Sequence, residues 1–321
     1  MSTALPAPSG SALLSQWAWQ PVAIAFGAAL AGWYLFAVAR ARRGGVRWPV
    51  RRHLAYGLGL AMLGWTCCGF LQAYVDSMYW VWTTQVLALW LLIPGVLLAG
   101  QPVQLALIVS GRTGWVGRFL RTRFARFLAN PLVGPALVPV LSAGLFFGPL
   151  PGWAVTLPVI QWLLAPVLLV VGGLMLLPLV GIDEGASTLA VALTLALGSV
   201  ELVLDAIPGI VLRLHHSLVS PYFEHRAMHP WSRSNLRDQQ TAGAVLWIVA
   251  ELIDLPFLLL MFRRWLQADA RDAAAVDAVL EAERAAREAL DPVAPGEAAD
   301  LTDVPWWVND PAMQRRLRGQ G

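Results

Sequence analysis

The sequence predicts an all-α fold: a polytopic helical bundle in a membrane, with about seven spans, its N-terminus outside and its charged tail in the cytoplasm. Three observations carry this reading. The chain is 57% hydrophobic and 13% charged, with a mean hydropathy of +0.59, a balance foreign to a water-soluble domain. Seven apolar stretches reach the roughly 20 residues needed to cross a hydrocarbon layer of about 30 Å. Arginine gathers in two of the connections between them.

The stretches run over residues 19–39, 54–75, 80–109, 131–149, 155–181, 188–212 and 241–262. Backbone amides find no water inside a bilayer, so each stretch must close its hydrogen bonds as a helix, and no short alternating segments point to a barrel. Met1 to Gln20 carries no charged side chain; without a basic n-region it reads as a translocated, uncleaved N-terminus. Arg40, Arg42, Arg43, Arg47, Arg51 and Arg52 follow the first stretch, and Arg112, Arg118, Arg121, Arg123 and Arg126 follow the third. Both connections are therefore expected in the cytoplasm, with 75–80, 150–154 and 213–240 outside. The outer segment 213–240 is itself moderately basic, holding Arg213, Arg226, Arg233 and Arg237 against Glu224 and Asp238, and the two larger inner clusters outweigh it. The third stretch would make a helix of about 45 Å, but Pro94, Gly95, Gly100 and Pro102 interrupt its second half, so a kink or break is expected there.

Residues 1–18 thus form an extracytoplasmic N-terminus, 19–264 a seven-helix membrane domain and 265–321 a cytoplasmic tail. Charge marks the last boundary: residues 1–264 hold 17 arginines against 9 acids, whereas 265–321 hold 6 against 11. Residues 266–290 read as a solvated helix and 291–304 as a linker. Trp306 and Trp307, beside Arg315, Arg316 and Arg318, suit an anionic leaflet or a partner protein, or simply a surface tail held by two aromatics. All 23 basic residues are arginine, a bias that fits a GC-rich genome and says nothing of function.

Ionisable groups within spans are costly and therefore site candidates. Glu201 and Asp205 stand one turn apart in the sixth stretch, and Glu251 and Asp254 share a face of the seventh. They read either as a metal or proton site or as charges capped by Arg213, tryptophan N–H groups or interfacial water. His215, His216, His225 and His229 crowd into the outer segment with Glu224 and Met228. His225 and His229 have HxxxH spacing, which on a helical turn brings two imidazoles to one metal, and methionine beside imidazole suits copper better than magnesium or calcium. The plainer alternative is a chance cluster of exposed histidines. His53, beside the first arginines, reads as interfacial. Cys67 and Cys68 are adjacent, which offers neither a disulfide framework nor a CxxC metal site. No P-loop, dinucleotide fingerprint, zincin or nucleophile-elbow motif occurs, so no enzyme chemistry is expected. Trp80, Trp82, Trp153 and Trp265 lie near span ends and fit an interfacial belt.

Several segments, in order, resemble the CtaG family of cytochrome c oxidase assembly factors, polytopic proteins linked to copper delivery. Residues 33–63, WYLFAVARARRGGVRWPVRRHLAYGLGLAML, are similar to that family's first span, basic loop and second span. IPGVLLAGQPVQLAL (93–107), RFLRTRFARFLANPLV (118–133) and PLVGIDE (178–184) resemble its next segments. Asp238, Gln239, Gln240, Ala242, Gly243 and Trp247 resemble its DQxxAGxxxW entry to the last span, and Glu251 continues the likeness to actinobacterial members. The resemblance also implies an HxxxH pair before the IPGVLLAGQP-like stretch, where this chain has Trp82 and Val86, and further histidines, for one of which Ile210 stands. None of these side chains can ligate a metal.

The resemblance implies a multi-pass protein of a bacterial cytoplasmic membrane, in the respiratory chain, that helps assemble an oxidase. Expected partners are the lipid bilayer and oxidase subunits or other assembly factors, not nucleic acid; copper is the one cofactor in view, held by the outer His/Met cluster as a substitute site. Two alternatives stand beside it: a copper or proton transporter using the broken third helix and the span carboxylates, and an accessory scaffold subunit. The topology makes the first testable expectation. Reporters fused at 40–52 and 112–126 should both give cytoplasmic signals, and two extracytoplasmic signals would invert the arrangement.

Overall fold

The computed structural model describes residues 5–111, 114–128, 133–180, 188–225, 229, 231 and 234–290. Among them every regular element is helical and none is a strand. The chain divides into two units, Met1–Arg264 and Trp265–Gly321.

In the first unit, α1 (Ala12–Ser15) precedes α2 (Pro21–Arg43), which opens on a proline where the missing N–H would have had no helical partner. Arg40, Arg42 and Arg43 occupy the last turn of α2. Gly45 adopts a positive φ of 81°, and Val46 N–H then reaches the Ala41 carbonyl at 3.0 Å, closing the helix end. α3 (Val50–Cys68) starts after Pro49 and breaks at Gly69 before α4 (Phe70–Tyr74). α5 (Tyr79–Leu87), a π-helical turn at Ala88–Leu92 and α6 (Ile93–Ala99) follow as one span. That span is the centre of the bundle: 72% of its most apolar window is buried, against 17% for α2.

The expected break in the third stretch falls at Gly100–Gln101. Gln101 sits in the left-handed region with φ 53°, and the chain resumes as α7 (Pro102–Ser110). Short helices α8 (Trp115–Leu120) and α9 (Arg123–Leu128) carry Arg118, Arg123 and Arg126 of the second arginine cluster, with Arg121 between them. α10 (Val133–Ser142) runs into a second π-helical turn, Ala143–Phe147, and then α11 (Leu150–Thr156), with a bend of 57° between the two arms. Residues 150–154, expected as an outer connection, are thus helical. α12 (Pro158–Val180), α13 (Thr188–Leu214) and α14 (Pro221–His225) lead to α15 (Asn235–Leu290).

Five helices of the described residues are long and apolar enough to cross a membrane, or six if the bent pair is one span. The seventh apolar stretch, 241–262, lies within α15. In the second unit, residues 269–287 are helical and exposed along their length, whereas 291–321, including Trp306 and Trp307, lie outside the described residues.

Packing follows the apolar pattern: α3 lies against α6, α12 against α6 and the first π-turn, α10 against α13, and α2 along α3 and α7. The π-turn has a local cause. Pro94 has no N–H to give the Trp90 carbonyl one turn earlier, and its ring crowds that oxygen in a regular helix. Gly172 of α12 closes against the same carbonyl, so closely that a Cβ there would collide with it. Gly173, its neighbour, faces open space, with nothing within 4 Å of a built Cβ. Gly172→Ala should therefore destabilise the bundle by about 1–3 kcal/mol, while Gly173→Ala should change little. Thermal unfolding of the two variants in detergent micelles checks this, and equal melting temperatures would contradict it.

Candidate functional site

At the end of the bundle where α5 begins, the first turn of α15 reaches across to α5. Asp238 is buried, and its carboxylate accepts the Tyr79 N–H at 2.7 Å and the Trp80 N–H at 3.3 Å. Those amides belong to the start of α5, where no helical carbonyl is available, so Asp238 caps a helix 159 residues earlier in the chain. The next residue, Gln239, is fully buried. Its Oε1 accepts the Val219 N–H at 2.8 Å, and its amide donates to the Ser217 carbonyl at 3.0 Å and the Leu212 carbonyl at 3.5 Å. One amide side chain thereby fixes the exit of α13 and the loop after it. Ala242 is buried, and Gly243 meets α13 so closely that an added Cβ would stand 2.6 Å from the Gly209 carbonyl. Asp238, Gln239, Ala242 and Gly243 thus form one helix-locking unit.

The N-terminal segment is strapped to the same end. Tyr74 donates to the Pro6 carbonyl at 2.9 Å, Trp231 to Leu5 at 2.9 Å and Trp65 to Leu13 at 3.1 Å. The Tyr79 ring stacks on Phe223 at 4.6 Å, and its hydroxyl donates to the Phe146 carbonyl.

At the arginine-rich end, residues 33–63 and 93–107 meet. Trp48 Nε1 donates to the Tyr34 hydroxyl at 2.9 Å, and that hydroxyl lies 3.1 Å from the Gly100 carbonyl and 3.2 Å from that of Arg52. Tyr34 stacks on Tyr56 at 3.8 Å, and the Arg52 guanidinium sits 4.4 Å above the Trp48 ring. His53 pairs with Arg42 at 3.1 Å. This knot closes over the helix break at Gly100.

The metal candidates fare differently. His215 turns onto its own loop, its Nδ1 2.9 Å from the Ser217 carbonyl, and His216 is exposed. His229 stacks on Trp231 at 4.7 Å and touches the Ser77 hydroxyl at 3.3 Å. Met228 and the side chains of His225, Glu201 and Asp254 lie outside the described residues. Asp205 is buried in α13, and Glu251 accepts the Trp247 Nε1–H at 3.2 Å one turn away. Among the described residues no group of three or more His, Cys, Asp or Glu side chains is placed to hold a metal ion. Trp82 and Val86 are buried in the main core, where Trp82 Nε1 donates to the Leu145 carbonyl at 3.1 Å. Sequence reasoning assigned Trp82 to an interfacial belt; it is a core residue. Tyr34, Trp48, Tyr79 and Gln85 were not singled out at all, although a hydrogen-bonding side chain packed near a helix break is the signal that would find them.

A family model described as cytochrome c oxidase caa3 assembly factor (Caa3_CtaG) matches residues 32–268. The chain is 30% identical over 279 residues to the uncharacterized proteins Mb0105 of Mycobacterium bovis and MT0111 of Mycobacterium tuberculosis. It is 27% identical over 256 residues to the uncharacterized protein ML1998 of Mycobacterium leprae. The alignments cover 84%, 84% and 76% of this chain but 42%, 42% and 38% of the relatives, so the chain spans less than half their length. No solved structure matches.

The Asp238 lock gives a graded expectation. Asp238→Ala strips two backbone amides of their acceptor and should cost about 1–3 kcal/mol, whereas Asp238→Asn keeps an oxygen there and should cost less. Melting temperatures in micelles read the order, and an alanine variant as stable as the parent would refute the capping role.

Proposed function

Because the chain belongs to the cytochrome c oxidase caa3 assembly factor family, we propose that it assists assembly of a respiratory oxidase as a non-catalytic, multi-pass scaffold of the bacterial cell membrane. Its partner in this reading is an oxidase subunit or a second assembly factor, held while the oxidase matures.

One observation carries the scaffold part of the proposal. The residues on which the family likeness rests tie helices to one another: Tyr34 and Gly100 at one end, Asp238, Gln239 and Gly243 at the other. At the positions where the likeness would put a histidine pair, an indole and an isopropyl group fill the core. A rigid frame presented to a partner fits this arrangement better than a metal passage through the bundle. Copper enters the reading only through the outer donors His215, His216, His225, Met228 and His229.

A clean deletion in the native host tests the proposal. The haem a difference spectrum and oxidase activity of the membranes should fall several-fold, return with the gene, and stay low when excess copper is supplied. Unchanged spectra and activity would overturn the assembly role. Rescue by copper alone would move the role from scaffold to metal supply.

A further inference from the structure

In the first unit, where α2, α5 and α12 begin, the helices leave a cavity of about 40 Å³ between them. A water-sized guest takes roughly 10–15 Å³ of such space, so the cavity holds about three. An acyl chain, a ring system or a partner's side chain is too large. Its lining includes Gln20 before α2, Cys67 at the end of α3, Gln72 of α4, Gln85 of α5 and Gln161 of α12. Gln20, Gln72 and Gln161 are half-buried, whereas Gln85 and Cys67 are each 4% exposed.

Hydrogen bonds between two of these amides decide what the cavity can take. Gln85 Nε2 lies 3.1 Å from the Thr66 carbonyl and 2.9 Å from Gln72 Oε1. A carbonyl cannot donate, so the Gln85 atom that faces Thr66 must be its nitrogen, and both of its hydrogens are then spent. The Gln72 atom that receives the second must be an oxygen. One acceptor and one donor group remain, Gln85 Oε1 and Gln72 Nε2, and no protein hydrogen bond among the described residues answers either. Buried amides left in that state are costly.

A donor beside an acceptor selects a neutral guest that can do both. An anion would meet the lone pairs of Gln85 Oε1, and a cation would find amides and one thiol but no carboxylate in the lining. An apolar guest would leave both amides unanswered. One turn further into the bundle, on α5 and α3, the lining changes to Leu89 and Leu63, and the polar surface on these two helices stops there.

We propose that this cavity is a water site, holding about three bound molecules that accept from Gln72 Nε2 and donate to Gln85 Oε1. The bound water joins the elbow between α3 and α5 to the starts of α2 and α12, whose Gln20 and Gln161 border the same space. The site does not depend on any role in oxidase assembly.

Four equally buried leucines make the test internal. Leu63, Leu71, Leu87 and Leu89 are each 2% exposed, and of these Leu63 and Leu89 line the cavity while Leu71 and Leu87 do not. The full chain in detergent micelles is given a brief X-ray pulse, which makes hydroxyl radicals wherever water sits, and oxidised side chains are located by tandem mass spectrometry. Leu63 and Leu89 should be oxidised at least fivefold faster than Leu71 and Leu87. That ratio should hold when radicals in bulk solvent are scavenged, because bound water generates its radicals in place. Gln72→Leu removes the donor and should bring the ratio below twofold, whereas Gln72→Glu keeps a polar end and should keep the ratio. Variants are compared as monodisperse, helical protein. Equal oxidation of the four leucines in the parent chain would overturn the proposal whatever the variants do. A ratio that collapses under the scavenger, or one that Gln72→Leu leaves unchanged, would overturn it as well.

Discussion

A helix that breaks inside or near a bilayer must find protein partners for the backbone groups it frees, because lipid offers none. This chain breaks its helices repeatedly, and side chains from elsewhere in the sequence answer the breaks. Asp238 takes the amides that open α5; Tyr34 reaches the Gly100 carbonyl. Tyr79 and Trp82 serve the carbonyls of Phe146 and Leu145 before the bend at Gly148, and Gln85 donates to the Thr66 carbonyl just before the break at Gly69. Gln239 serves the end of α13. Four buried donors stand outside the pattern: the Thr83 and Ser220 hydroxyls, the Trp90 indole N–H and one guanidinium nitrogen of Arg264 have no hydrogen-bond partner among the described residues.

This constraint explains what the sequence made legible. Apolar runs of sufficient length mark the spans because hydrocarbon thickness is a one-dimensional requirement. The break at Gly100–Gln101 was readable because glycine and proline act on the backbone locally. The π-turn before Pro94 was readable only in part, since the proline is local but the partner of the freed Trp90 carbonyl region, Gly172, arrives from another helix. The same holds for the pairing of Asp238 with Tyr79: the motif drew attention to Asp238 and Gln239, but an acceptor's use is fixed by which donors face it, and those lie 159 and 20 residues away. The span carboxylates depend on their neighbours in the same way: charge in a span is costly and needs a partner, and Glu251 accepts a hydrogen bond from Trp247 one turn away on its own helix.

Family membership takes on a physical sense in this light. The match over 32–268 begins beside Trp33 and Tyr34 and ends beyond α15's first turns, so it encloses both the arginine-end knot and the Asp238 lock. Within the matched span, these residues close helix breaks. Trp82 and Val86 fill the interior of that frame, where the Trp82 indole also donates to the Leu145 carbonyl.

A frame that satisfies its own backbone also restricts how it can be recognised. Between two helices in lipid there is no hydrophobic drive, so association depends on close packing and on polar groups left to share. Here Tyr34, Tyr79, Trp82, Gln85 and Gln239 spend their hydrogen bonds inside the bundle, and α2, α12 and α13 present mostly plain apolar surface outward. Directional recognition then has to come from the ends of the spans. Those ends carry the polar segment around His215, His216 and His229 and the exposed arginines of α2, α8 and α9. A partner that reads either end would meet residues whose positions the two locks have already fixed.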